Sequence, residues 1–248
     1  MNVAHVATTY GSGRAMNEAI SRSPAGSAAR KQLAHSAWTK WTGLVTVIGS
    51  IGLLALFTVL GFLRPGYSPV RQAISDLGIG PLAWALNAGL IITGVLLIGF
   101  ALALTQDAMF PVANPGWRWL LGVLLEAQGL GLIIAGAFPE PEPTHWLVGA
   151  PSFFIGSVIG FLAAGGLLWR VRGWRGFSIY SLIAGCIGLV LVLFQNLAFA
   201  AQYGQMTGSP LAAVPVGGLA ERLVFLNILA WYSVAGWRLF RDQADDRG

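Results

Sequence analysis

Six runs of roughly twenty apolar residues, separated by short polar connections, constrain this chain more than any other feature of its sequence. A helix rises about 1.5 Å per residue, so each run is long enough to cross ~30 Å of hydrocarbon. Backbone N–H and C=O groups find no water in lipid, so a spanning run has to satisfy them internally as a helix. The runs predict spans at residues 41–63, 82–105, 117–138, 146–169, 177–201 and 219–240. The expected fold class is an all-α membrane protein, a six-transmembrane helical bundle formed by residues 41–240. Residues 1–40 are expected to be a disordered cytoplasmic tail, with Ser21, Ser23, Gly26 and Ser27 and few large apolar groups, and residues 241–248 a second tail. The first tail is too polar for the apolar core of a cleaved signal, so span one is expected to act as an uncleaved one.

Composition agrees: 55% of the residues are hydrophobic and only 10% charged, where soluble domains carry about 25% charged residues. The net charge of +5 does not point to nucleic acid, because the basic residues sit at span ends rather than on a soluble face. Their distribution instead predicts orientation, since basic flanks resist translocation. Arg30, Lys31, Lys40, Arg118, Arg170, Arg172, Arg175, Arg238 and Arg241 fall on one side, against Arg64, Arg71 and Arg222 on the other. Both ends are therefore expected in the cytoplasm of a multi-pass protein of the inner (plasma) membrane. Trp41, Trp117, Trp119, Trp146, Trp169, Trp174 and Trp237 lie near span ends, where indole rings anchor at the headgroup level.

Span four carries Ser152, Gly156, Gly160 and Ala164, one small residue per four. Such a strip lets helix backbones approach closely, and packing within the chain is preferred over a homo-oligomer or a larger complex.

The connection after span one reads RPGYSPVRQAISDLG over residues 64–78. Ser68 before Pro69 is a helix start and Gly78 a stop. Between them Val70, Ile74 and Leu77 recur at helical spacing, with Arg71, Gln72, Ser75 and Asp76 opposite. The pattern predicts a short amphipathic helix on the outer membrane surface. Glu140, Glu142 and His145 follow span three on a proline-rich arm, and Glu221 and Arg222 open span six. All of these are expected on the same side.

Inside the spans, Asn87, Gln195, Asn196 and Asn227 lie at similar depth and predict one polar pocket, because amides are costly in hydrocarbon without partners. Glu126 and Gln128 lie deeper, as a proton relay or as hydrogen-bonded packing groups.

Counting narrows the chemistry. His5 and His35 belong to the tail, leaving His145, and Cys186 is the single cysteine. A zinc site built on several histidines, a bis-histidine haem and a multi-thiolate centre are thereby excluded, and no cofactor or metal is expected. No phosphate-binding loop, H-E-x-x-H or G-x-S-x-G motif is present. A Ser-His-Asp set from Ser75 or Ser68, His145 and Asp76 can be drawn, but nothing in the spacing requires it.

The segment from Tyr67 to Gly78, the arm from Phe138 to His145, and Gly218-Leu-Ala-Glu-Arg222 together resemble a prokaryotic family of six-span membrane proteins catalogued as domain of unknown function 998. The likeness covers roughly residues 41–240 and implies six spans with signature residues at the external face. It implies no reaction. Where the family arm carries Phe-Pro followed by Asp and later His, this chain has Pro-Glu-Pro-Glu before His145.

The expected function is binding of an amphipathic ligand or membrane lipid in a polar pocket open to the outer leaflet. The expected ligand-binding residues are Arg71, Ser75, Asp76, Asn87, His145, Glu221 and Arg222, the two arginines meeting an anionic headgroup. Two alternatives stand beside it. One is a membrane enzyme acting on a lipid or isoprenoid with Asp76, His145 or Glu221 as acid or base. The other is a structural subunit that docks through span four.

Overall fold

The computed structural model describes residues 24–108, 114–170, 173–204 and 215–245. The chain divides into two units, Met1–Trp38 and Thr39–Gly248. Of the first, residues 24–38 are helical, and the rest lies outside the described residues.

Among the described residues six helices carry the fold: α1 Pro24–Leu63, α2 Ala83–Ala103, α3 Pro115–Ala137, α4 Ala150–Leu168, α5 Arg175–Gln202 and α6 Gly217–Asp245. Within them six segments are long and apolar enough to cross a membrane, with mean hydropathies from 1.4 to 2.4. This is a multi-pass helical membrane protein, with no strand among the described residues. The helix of α1 already runs through residues 24–40, and α6 continues through Arg241 to Asp245, so helical structure reaches into both expected tails.

Local chemistry sets several helix ends. Asn114 caps α3, its side-chain oxygen accepting from Gly116 N–H at 2.9 Å, and Pro115 occupies the first turn, where a missing N–H is harmless. α4 is entered through a wide turn, His145–Gly149, in which Ala150 N–H bonds back to the His145 carbonyl. Wide turns of this kind re-aim a side chain, and here His145 is buried.

Consecutive helices from α2 to α6 pack on one another. Gly49 of α1 approaches Leu96 of α2, while Gly43 of α1 and Gly236 of α6 oppose each other, so α1 closes the ring. At Gly43 and Gly236 an added Cβ would come 2.5 Å and 2.6 Å from the other's carbonyl oxygen. Gly94 of α2 and Gly129 of α3 make a second crossing, each 2.5 Å from the other's carbonyl oxygen by the same measure. Side chains there would force the helices apart, which is why small residues mark such contacts.

α6 fills the middle. Trp231 stacks on Phe161 of α4 with centroids 4.3 Å apart and donates to Ser181 Oγ of α5 at 2.9 Å. Tyr232 donates to Gln128 Oε1 at 3.0 Å, and Gln128 Nε2 donates to the Leu124 and Gly156 carbonyls at 3.2 Å. Gln128 is thus a satisfied buried packing group, as its depth requires. The small strip of α4 faces α3: a Cβ on Gly156 would meet Gln128 Cγ, and one on Gly160 would meet Gln128 Nε2. That strip is used within the chain.

Candidate functional site

The polar groups collect at the end of the bundle where residues 64–82 and 138–144 connect the spans. Residues 64–78 do not form the single surface helix that their spacing predicts. One turn forms at Ser68, whose carbonyl accepts from Arg71 and Gln72 N–H at 3.1 and 2.8 Å. The chain then breaks and re-forms a tight turn at Ser75–Gly78. Ile74 and Leu77, 1% and 3% exposed, plug into the bundle, while Val70 at 46% stays outside. The segment is a strap seated in the mouth.

Groups from distant elements supply the partners that a helix would have supplied to itself. Arg222 Nη1 donates to the Gln72 and Gly218 carbonyls at 3.0 and 2.8 Å, and its Nη2 donates to Tyr67 Oη. Tyr67 Oη donates in turn to the Ala73 carbonyl at 2.7 Å. Glu221 Oε2 accepts the Ile74 N–H at 2.5 Å. Asp76 Oδ2 accepts the Ala73 N–H at 2.9 Å, and Arg64 donates to the Asp76 and Ile79 carbonyls. Gly218 is required where it stands, because a Cβ there would run into the backbone of Gln72.

The arm after α3 closes on the strap. Ser75 Oγ donates to Glu140 Oε1. His145 Nδ1 lies 3.2 Å and 3.1 Å from the carbonyls of Ala135 and Phe138. Two acceptors at that nitrogen mean that it carries a proton, so in the neutral tautomer the lone pair lies on Nε2.

Burial pushes the Glu140 carboxyl above the usual range, and Asp76 adds to this, while the Ser75 hydrogen bond and His145 oppose it. Burial likewise raises Asp76 against the Ala73 N–H, Arg64 and Arg222. The Tyr67 phenol is raised by burial against the hydrogen bond and charge of Arg222.

Beneath the strap lies a cavity of about 30 Å³. Its polar lining is Ser75, His145 and Glu221, and its walls include Leu90, Leu132, Phe153, Phe154 and Phe225. The three polar residues are 9%, 5% and 6% exposed. Trp146, Ala150 and Phe154 stand at a rim that reaches the outside of α4.

Five of the seven expected residues, Ser75, Asp76, His145, Glu221 and Arg222, thus meet at one mouth. Asn87 stands beside them, donating to the Gly78 carbonyl at 3.2 Å, with a buried Oδ1 that has no hydrogen-bond partner. Arg71 does not join the cluster: its side chain is exposed, and its carbonyl accepts from Gln202 Nε2 at 2.9 Å. The amides do not share one pocket. Asn227 bonds the Ala184 carbonyl of α5, Asn196 its own helix at Val192 on an exposed face, and Gln195 Oε1 is buried without a partner. Glu126 is half-buried on α3, its carboxyl facing the Gly122 and Thr105 region. Trp174, expected as an interface anchor, is buried under Arg238, whose guanidinium lies 4.6 Å from the ring centroid.

A protein-family model described as "Protein of unknown function (DUF998)" matches residues 47–238. The chain belongs to the DUF998 family. In this DUF998 protein the matched residues hold strap, arm and cavity together. No curated protein matched the chain, and no solved structure matched it either.

Sequence reasoning missed Tyr67, Gly218 and the Phe153, Phe154 and Phe225 wall, and it left Glu140 out of the site. Tyr67 and Gly218 lay inside the segments quoted for the family. An aromatic residue beside a Ser-Pro start and a Gly ahead of an acidic–basic pair are the only signals that the sequence offered for them.

Proposed function

We propose that this protein binds an amphipathic ligand from the membrane, with the ligand's polar end in the cavity under the strap and its apolar body against α4 and the lipid. The observation that carries the reading is the single cavity that unites Ser75, His145 and Glu221, from three separate parts of the chain, with a wall of Phe and Leu side chains. Small-molecule sites have this composition: apolar walls with a few convergent polar groups. The rim at Trp146, Ala150 and Phe154 gives a membrane-dissolved chain a path to the cavity without crossing the strap. On the charge count above, this mouth opens toward the outer leaflet of the plasma membrane.

The test is extraction and mass spectrometry of amphiphiles retained by gently purified protein, comparing wild type with Ala150→Phe, which narrows the rim. Several-fold enrichment over bulk lipid in the wild type, lost in Ala150→Phe, is expected. Equal retention by both proteins, or none above background, removes the cavity from consideration as a binding site.

One observation favours a second reading, turnover of the bound molecule. His145 has Nδ1 held by two carbonyls and its other ring nitrogen left over, and it lines the same cavity as the buried Glu221 carboxyl. This is the arrangement of an oriented general base. It predicts conversion of a retained amphiphile that falls in His145→Gln by a far larger factor than retention does.

A further inference from the structure

The chemistry of the cavity lining restricts what can occupy it. Ser75 spends its proton on Glu140, and His145 spends its Nδ1 proton on the Ala135 and Phe138 carbonyls. Glu221 accepts one proton from Ile74 and keeps its other oxygen. Among the three polar side chains of the lining, what remains is acceptor capacity: the Ser75 lone pair, the unprotonated nitrogen of a neutral His145 and the second oxygen of Glu221. The nearby guanidinium groups are turned to other partners. Arg222 donates to Gln72, Gly218 and Tyr67, Arg64 donates to Asp76 and Ile79, and neither arginine lines the cavity. Asp76 and Glu140 stand just behind the lining, so an anion would approach three carboxyl groups with no arginine or lysine in the lining to meet it.

Size points the same way. A site needs about 10–15 Å³ of volume per water molecule, so 30 Å³ holds two or three water-sized groups and favours a small head over a phosphate or a sugar.

We infer that the ligand is an amphiphile whose head is one small hydrogen-bond donor, a hydroxyl or an ammonium, and not an anionic headgroup. This rests on the binding reading above and replaces the anionic head expected from Arg71 and Arg222. His145 Nε2 and Glu221 are the binding residues, and Ser75, held by Glu140, presents its lone pair. A hydroxyl needs one acceptor and tolerates a neutral site, whereas an ammonium is held most strongly by Glu221 as a carboxylate. The two sources therefore separate by mutation.

The experiment uses the full chain in phosphatidylcholine nanodiscs with three probes of equal chain length, dodecanol, dodecylamine and dodecanoate. Probe retained per protein is measured by mass spectrometry after washing, with empty nanodiscs as background. At least one donor probe should exceed dodecanoate by about tenfold, equivalent to about 1.4 kcal/mol. Glu221→Gln should lower retention of the amine by a larger factor than that of the alcohol where the head is an ammonium, and lower both alike where it is a hydroxyl, which identifies the head. Dodecanoate retained as well as the donors overturns this inference and leaves the binding reading intact. Retention of no probe, in wild type and Ala150→Phe alike, overturns the binding reading and this inference with it. Because the comparison of probes is made on the wild type, a variant that fails to fold does not blunt it.

Discussion

Arg222 shows how much one side chain can hold in a mouth with few other donors. Its guanidinium serves the Gln72 and Gly218 carbonyls and the Tyr67 hydroxyl, and it lies 5.5 Å from the centroid of the Tyr67 ring. Lysine has the charge but no planar fork, so Arg222→Lys can meet only part of this set. Tyr67→Phe strands the Ala73 carbonyl as well as one guanidinium nitrogen, while Arg222→Met removes the donor altogether. Because the two residues share one bond, their effects should not add. A double-mutant cycle read from melting in detergent should give a coupling of about 1 kcal/mol, near the upper part of the range for hydrogen bonds inside membrane proteins. Additive losses would mean that the clamp does not act as a unit. The sequence marked Arg222 as a basic residue opening a span, which suggested a headgroup contact. Its true partners are mostly backbone carbonyls, and these carry no signature in a sequence.

The strap is where the helical pattern misled, and the reason is physical. Val70, Ile74 and Leu77 have the spacing of an apolar stripe, and two of the three are buried as the stripe requires. A continuous helix, however, would need the carbonyls of Gln72 and Ala73 and the N–H of Ile74 for its own ladder. Arg222, Tyr67 and Glu221 take them instead. Side chains far away in the chain decided the outcome, and local periodicity cannot see them. The strap and the arm also carry a pH dependence. Asp76 and Glu140 have native pKa values above their unfolded ones, mainly through burial. The native state therefore binds more protons across that interval, and stability falls as pH rises through it. Their contribution is complete below the ordinary carboxylate range and lost above the raised values. Melting midpoints followed between about pH 4 and pH 7 should show wild type losing ground to Glu140→Gln as pH increases. A difference between the two that stays constant, or that runs the other way, would show that the Glu140 carboxyl is not desolvated in the folded protein.

At the scale of the whole molecule, the six spans were legible because hydrocarbon imposes length and apolarity on each of them independently. Their order around the ring was not, since it depends on close glycine contacts such as Gly43 with Gly236 and Gly94 with Gly129. Any glycine in an apolar run resembles any other until its partner is known. The direction of the bundle in the membrane follows from a third kind of information, the basic flanks. At the end away from the strap these residues sit with interfacial aromatics: Lys40 lies 4.9 Å from the Phe240 centroid and Arg175 4.5 Å from that of Trp169. At the strap end Arg64 and Arg222 are folded into backbone contacts, which leaves Arg71 as the exposed base among them. The asymmetry predicts that the strap end is outside. Single cysteines introduced into a Cys186→Ala background test it, because Glu142 and Arg170 are both exposed and lie at opposite ends. Glu142→Cys should react with a membrane-impermeant maleimide in intact cells, and Arg170→Cys only after permeabilisation. The reverse pattern would turn the cavity mouth toward the cytoplasm. Its ligand would then come from the inner leaflet, while the acceptor chemistry of Ser75, His145 and Glu221 would stand unchanged.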